Sequence, residues 1–252
     1  MIDLDILYCM DIFELCEKVP KETCQMILVD LPYGTTSHPW DEIIPFAPMW
    51  EQFRRIIKPN GAIVLTASMP FTAKLVMSAL DIFRYEMIWE KSNATGFLDA
   101  KRRPMKKHES ILVFGLHEPD YYPIMEVGDP YVAKRHGHAS YLQDKTLERM
   151  PTFNEGTRYP KSVLHISDSQ DGKIHPTQKP EKLFRYLTRT YTRPNDVVFD
   201  PCCGSGTTAV SARIEGRRFI CGDNSPTYVE LAQKRLNLPY TAMFPELVND
   251  LE

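Results

Sequence analysis

Two stretches of the chain combine residue types that could hold a nucleoside and an amine. In the first, the apolar run 26–29 leads into Asp30-Leu31-Pro32-Tyr33-Gly34. That places an acid, a proline-fixed turn and an aromatic ring at the C-terminal end of a strand, the edge where open α/β sheets bind ligands. Asp30 can accept a hydrogen bond from an exocyclic amine, the Leu31 carbonyl can accept a second, and the Tyr33 ring can stack on a planar base. Such a grip leaves the nitrogen lone pair pointing away, as methyl transfer to an aromatic amine requires. Taken in isolation, the tetrapeptide also suits an ordinary strand-end turn. The second stretch, Asp200-Pro201-Cys202-Cys203-Gly204-Ser205-Gly206-Thr207-Thr208-Ala209, follows the apolar residues 197–199. Gly204 and Gly206 let the backbone approach a ligand, and the helix that follows offers free N–H groups. Asp223 lies 19 residues beyond Gly204, at the end of the next strand, where a carboxylate can accept from both hydroxyls of a ribose. These residues predict a cofactor carrying adenosine or a similar nucleoside.

The same glycines, with Ala209, also satisfy the G-x-G-x-x-A dinucleotide pattern, so an NAD-dependent oxidoreductase is the competing class. Only 46 residues follow Gly206, too few for the strands a sheet needs after its nucleotide turn, which predicts an order permuted relative to a usual dehydrogenase. Tyr141 and Lys145 have the spacing of a short-chain dehydrogenase pair, but in a chain with 12 tyrosines that spacing is unremarked chance.

The elements that must carry these turns are legible as apolar strand-length runs at 26–29, 62–66, 85–89, 110–114, 196–199 and 218–221. Candidate helices at 46–58, 70–81, 180–192, 206–215 and 226–237 separate them, the last with Ser225 as N-cap and Pro226 at its first position. Continuous apolar strands between helices predict an α/β fold with a buried, mostly parallel sheet and helices on both faces. The stretch 92–178 is rich in Pro, His, Tyr and cations and interrupts the alternation. It is expected to be an inserted region, leaving 1–91 and 179–240 as the catalytic and cofactor-binding domain and 241–252 as a tail.

The composition limits the classes further. At 252 residues and 43% hydrophobic, the chain can bury a full core. No apolar run approaches the ~20 residues of a membrane helix, and acids stand at the N-terminus where a signal peptide has Lys or Arg. A cytoplasmic protein is expected. The six cysteines form no C-x-x-C pair, and no metal-ligand spacing occurs, so neither a disulfide framework nor a metal is expected. The net charge of −3 is unevenly distributed: 84–108 holds seven Lys and Arg against three acids. Trp89, Phe97, Lys101, Arg102, Arg103, Lys106 and Lys107 in that window are candidates for contact with nucleic acid, although a charge run is as often only a solvated face. Lys134 and Arg135, beside His136 and His138, form a second polar cluster in the insertion.

Together these motifs resemble the amino-group DNA methyltransferases. Asp30-Leu31-Pro32-Tyr33 is similar to that family's D-P-P-Y motif, and Asp200 to Thr208 to its S-adenosylmethionine motif D-P-F-x-G-S-G-T-T. Lys173-Ile174-His175-Pro176-Thr177-Gln178-Lys179-Pro180 is similar to the H-P-T-Q-K-P stretch before that motif. The order resembles the β class, with a circularly permuted, Rossmann-like methyltransferase fold. The resemblance implies that Asp30, Leu31, Pro32 and Tyr33 form the catalytic pocket. It also implies that Asp200, Cys202, Gly204, Ser205, Gly206 and Thr207 cradle S-adenosylmethionine, that Asp223 binds the ribose and Asp11 the adenine ring, and that His175, Thr177 and Lys179 complete the cofactor wall. Leu31 departs from the family's first Pro, and Cys202 from its Phe.

An Asp at the first motif position resembles the adenine-N6 enzymes and a Ser the cytosine-N4 enzymes, so the implied reaction is adenine-N6 methylation of duplex DNA. The base would be flipped out at a cost of a few kcal/mol, offset partly by stacking on Tyr33. Catalysis would be positioning without a metal or a dedicated base, in a protein compatible with a homodimer. Methylation of cytosine N4 or of an RNA or protein amine is the nearer alternative and an NAD-dependent oxidoreductase the more remote one; a silent DNA-binding relative is disfavoured because Asp30 and Tyr33 are both present.

Overall fold

The computed structural model describes residues 2–34, 41–133, 152–167 and 178–238. Two compact units divide the chain, one of residues 1–122 and 162–252 and one of residues 123–161. The larger begins with β1 (Ile6–Cys9), α1 (Ile12–Lys18), β2 (Cys24–Asp30), α2 (Phe46–Ile56), β3 (Ile57–Ala67), α3 (Phe71–Ser78), β4 (Phe83–Thr95) and β5 (Lys106–Phe114). The smaller holds β6 (Glu126–Val127), β7 (Tyr131–Ala133), β8 (Thr152–Asn154) and β9 (Thr157–Arg158). The chain then returns through β10 (Val163–His165), α4 (Glu181–Tyr191), β11 (Val197–Asp200), α5 (Thr207–Ile214), β12 (Arg218–Asp223) and α6 (Pro226–Leu236).

The eight-stranded sheet has the order β1-β12-β11-β2-β3-β5-β4-β10. Every described pairing in it is parallel except those of β5, which runs antiparallel to both β3 and β4. Alternation along the buried strand β2 sorts its side chains to two cores. Ile27 and Val29 join a cluster with α1, α2 and α3, whereas Met26 and Leu28 join one with α4, α5 and α6. Each of these fully buried aliphatic side chains stabilises the fold by about 1.5–3 kcal/mol. The α/β, mostly parallel architecture with helices on both faces is as the apolar runs predict.

The insertion has narrower limits than its composition suggests. β5 and β10 both lie within 92–178, yet both belong to the main sheet. Residues 110–114 are buried within it, between β3 and β4. The part that folds separately is 123–161, where β6 pairs with β9 and β7 with β8. There the Arg158 guanidinium lies 4.4 Å from the Tyr131 ring centre. β1 and α1 were not legible: β1 is four residues long with only one buried, too short for a periodic signal.

Helix α6 carries Pro226 in its first turn, but the Ser225 side chain makes no capping bond. Instead the Asp223 carboxylate accepts from the Ser225 N–H at 2.9 Å. The helix packs its Ala232 against Gly206, which opens α5 at φ +78°; a Cβ there would stand 2.6 Å from the Ala232 Cβ. Gly206→Ala therefore combines left-handed strain with a clash and should lower unfolding free energy by about 1–3 kcal/mol. Urea denaturation reads this out, and an unchanged midpoint would refute it.

Candidate active site

Strands β2 and β11 are paired neighbours in parallel register, Ile27 opposite Phe199. Their C-terminal turns, the Asp30 tetrapeptide and the glycine loop, therefore open on the same side of the sheet, although 170 residues separate Asp30 from Asp200. Between them lies a cavity of about 800 Å³. Asp30 to Tyr33 line one part, Pro201 to Ser205 and Asp223 another, and Asp11 enters from the β1–α1 turn. Trp89, Lys91, Asn93 and Thr95 of β4 and Glu109 of β5 complete the wall.

Three donors converge on one oxygen of Asp30. The Tyr33 hydroxyl donates to Oδ1 at 2.8 Å, the Thr66 hydroxyl of β3 donates to it, and the Lys179 ammonium lies 2.8 Å from it. Oδ2 has no protein partner among the described residues. The carboxylate is thus fixed through one oxygen and presents the other to the cavity. The Tyr33 ring stacks on Phe71 at 5.2 Å between centroids, which fixes its plane. Burial, then the Asp30 charge, pushes the Tyr33 phenol well above its ordinary range, so it stays protonated as a donor. The Leu31 side chain is buried in the α1–α3 core cluster, so a Leu serves here where only the backbone carbonyl is needed at the pocket.

Sequence reasoning assigned Lys179 to the cofactor wall; its ammonium sits instead among Asp30, the Tyr33 ring at 5.4 Å and Glu109 at 3.1 Å. Glu109 also pairs with Lys91, giving an alternating chain Asp30–Lys179–Glu109–Lys91. Burial alone would lower the Lys179 pKa, but the Asp30, Tyr33 and Glu109 groups outweigh it and hold the ammonium above its usual range. In the same way burial would raise Glu109, but Lys179 and Lys91 pull it down. A buried charge is tolerated only when paired in this manner. Thr66, Phe71, Glu109 and Lys91 were not read as site residues; an acid opening the apolar run 110–114 was their one visible sign.

On the cofactor side, Asp200 is buried and accepts from the Cys202 N–H at 3.0 Å and the Thr208 hydroxyl at 2.5 Å. It braces the loop from within. Arg235 of α6 braces it from behind, donating to the Ser205 carbonyl at 2.7 Å and to the Thr207 hydroxyl at 3.2 Å. Asp223 accepts from the Gly204 N–H at 3.0 Å through one oxygen and from Ser225 through the other, and each oxygen keeps a lone pair for a ribose hydroxyl. Asp11 caps α1 by accepting from the Phe13 N–H at 2.7 Å, which orients its carboxylate at the cavity wall. Gly204 takes φ +49°, and among the described residues a Cβ there would meet no atom within 4 Å beyond its chain neighbours. The space that side chain would fill belongs to the cavity. A backbone cradle, a ribose-binding acid and a second acid at the far wall fit a nucleoside cofactor such as S-adenosylmethionine. His175 and Thr177 lie outside the described residues.

A family model described as N6_N4_Mtase, DNA methylase, matches residues 24–234. The chain belongs to this family. Among similar proteins, the Type II methyltransferase M2.LlaDCHI of Lactococcus lactis subsp. cremoris is 29% identical over 262 residues, covering 92% of this chain and 89% of the relative. The Type II methyltransferase M1.MboII of Moraxella bovis is 28% identical over 257 residues, covering 94% and 98% respectively. Solved structures sharing the fold include the cytosine-N4-specific PvuII DNA methyltransferase, with TM-score 0.68 and 19% identity over 95% of this chain and 89% of that one. The M1.HpyAVI–SAM complex has TM-score 0.60 and 20% identity over 92% and 99%. This DNA methylase is a site-specific methyltransferase with S-adenosylmethionine as its methyl donor.

The basic window does not form one patch on this methylase. Arg84 bonds the Gly115 and Leu116 carbonyls, Lys91 pairs with Glu109, and Lys106 is half-buried against Ser68. Lys107 pairs with Glu90, and Arg103 with Asp99. Lys101 and Arg102 remain exposed without an acidic partner among the described residues. Lys134 and Arg135 lie outside the described residues. No helix among those described is long and apolar enough to cross a membrane, and no metal-ligand cluster occurs among them.

Two outcomes are expected from the loop. Gly204→Ala should keep unfolding free energy within about 1–2 kcal/mol yet weaken S-adenosylmethionine binding in calorimetric titration, because its methyl group enters the cavity; unchanged affinity would refute the cradle. Burial pushes the Asp200 carboxyl up to about 7 against the pull of Thr208 and Cys202. The folded protein then keeps a proton the unfolded chain has lost, so stability declines as pH rises from about 4 through 7, by up to a few kcal/mol. Asp200→Asn keeps an acceptor for Cys202 and a donor toward Thr208, and should flatten that decline in thermal melts. Glu181, pushed up to about 7 mainly by burial, leaves a residual slope in both proteins. Identical profiles would refute the assignment.

Proposed function

We propose that the protein methylates the N6 amine of adenine in duplex DNA, on a nucleotide rotated out of the helix. The observation that carries this reading is the Asp30 carboxylate: one oxygen is held by Thr66, Tyr33 and Lys179, and the other faces the cavity without a protein partner among the described residues. That oxygen accepts one amine hydrogen and the Leu31 carbonyl accepts the second, leaving the nitrogen lone pair free for attack. The Asp at this position, where the cytosine enzymes of the family carry Ser, supports adenine. S-adenosylmethionine supplies an activated methyl group. Lys179 and Tyr33 both hold their protons and cannot accept the one the amine sheds, so it leaves to water. Target recognition falls in this reading to the 96–105 connection, with Lys101 and Arg102 contacting phosphates, and to the separately folding residues 123–161. The bacterial relatives support action in the cytoplasm.

Asp30→Ala should lower turnover by at least about a hundredfold while S-adenosylmethionine affinity stays close to wild type. A large loss of cofactor affinity would mean that the pocket is misassigned. Digestion of treated DNA to nucleosides should yield N6-methyldeoxyadenosine by mass spectrometry. N4-methyldeoxycytidine would overturn the choice of base, and no modified nucleoside would overturn the reaction.

A further inference from the structure

The connection between β4 and β5 is a built feature that the site does not use. It spans residues 96–105, and its tip is a single 3₁₀ turn, Phe97–Asp99, entered through Gly96 at φ +91°. The turn bonds to itself: Asp99 N–H to the Gly96 carbonyl at 3.0 Å, Arg102 N–H to the Asp99 carbonyl at 2.8 Å and Arg103 N–H to the same carbonyl at 3.1 Å. The Arg103 and Asp99 side chains close it. This ordered turn holds Phe97 at 78% and Leu98 at 99% exposure, and neither belongs to either core cluster. Single exposed apolar residues need no explanation, but an adjacent large pair on a braced tip gains nothing for the free protein.

Its position supplies the occupant. Asn93 and Thr95 line the cavity, and Phe97 follows Thr95 by two residues. Lys101 and Arg102 stand exposed on the same turn. Apolar tips flanked by cations suit a nucleic acid duplex, where the cations meet phosphates and the apolar groups meet base faces. Removing a base from the stack also leaves a gap that an apolar side chain can fill. We propose that Phe97 and Leu98 form a wedge that enters the DNA stack beside the target nucleotide and stabilises the flipped state. This rests on the reading of the protein as an enzyme that rotates its target base out of a duplex.

The test compares the full-length wild type and the variant Phe97→Ala/Leu98→Ala. The probe is a short duplex carrying the sequence that the wild type methylates in plasmid DNA, alone or with an abasic site opposite the target base. A wedge predicts that the variant loses at least about tenfold in kcat/KM on the paired duplex and less than about threefold on the abasic one, where the base is already unpaired. Equal losses on the two duplexes, or no loss on either, would overturn the wedge. So would a change in the sedimentation of the free protein on substitution, since the tip would then be a contact between copies of the chain. A wild type that methylates neither duplex nor plasmid overturns the flipping reading together with the wedge.

Discussion

The whole site depends on the pairing of β2 with β11. Backbone hydrogen bonds between two parallel strands put an acid-bearing turn and a glycine loop side by side. The Thr208 hydroxyl, which also reaches the Leu28 carbonyl at 3.3 Å, fastens the start of α5 to the same strand. Because both strands are buried on both faces, a one-residue slip would exchange Ile27 and Leu28 between the two cores and is strongly disfavoured. The reach between the two reactants is therefore set by sheet register, which is stiffer than any loop could be.

Within that frame the pocket is organised by charge alternation. Asp30, Lys179, Glu109 and Lys91 come from β2, the segment before α4, β5 and β4, and each charge faces an opposite one. Such a chain adds little to stability, because desolvation of its members offsets most of the attraction. Its effect is geometric. With Oδ1 saturated, Asp30 cannot rotate without breaking three contacts, and the reactive face of the pocket is defined before any substrate arrives.

Much of this was legible in the sequence, for physical reasons that also mark the limit. Turns at strand ends carry their chemistry in adjacent residues, so Asp30 to Tyr33 and Gly204 to Thr207 announce themselves, and apolar runs such as 26–29 and 110–114 mark buried strands. The surroundings of Asp30 do not: Thr66 reaches it across the sheet and Glu109 reaches its partner Lys179, and no local spacing encodes that register. Lys179 sits beside a cofactor-type motif in sequence but beside the Asp30 turn in space. Nor does the charge count of the window 84–108 reveal that Lys91 and Lys107 pair with acids and Lys106 with Ser68 inside the fold. The insertion was drawn too wide because polar residues flank the legible strand run 110–114 on both sides, while β10 is only three residues long.

The reversed direction of β5 has a consequence for how such enzymes can diversify. In a wholly parallel sheet, a chain leaving the ligand-facing edge must cross back through a helix before it can form another strand. Here β4 runs out over that edge and β5 runs straight back, so a loop of variable length can overhang the reaction site while every strand keeps its partner. Residues can be gained, lost or exchanged in that overhang without disturbing the register that brings donor and acceptor together. The fold thus separates what it touches from what it does, and leaves the first open to change.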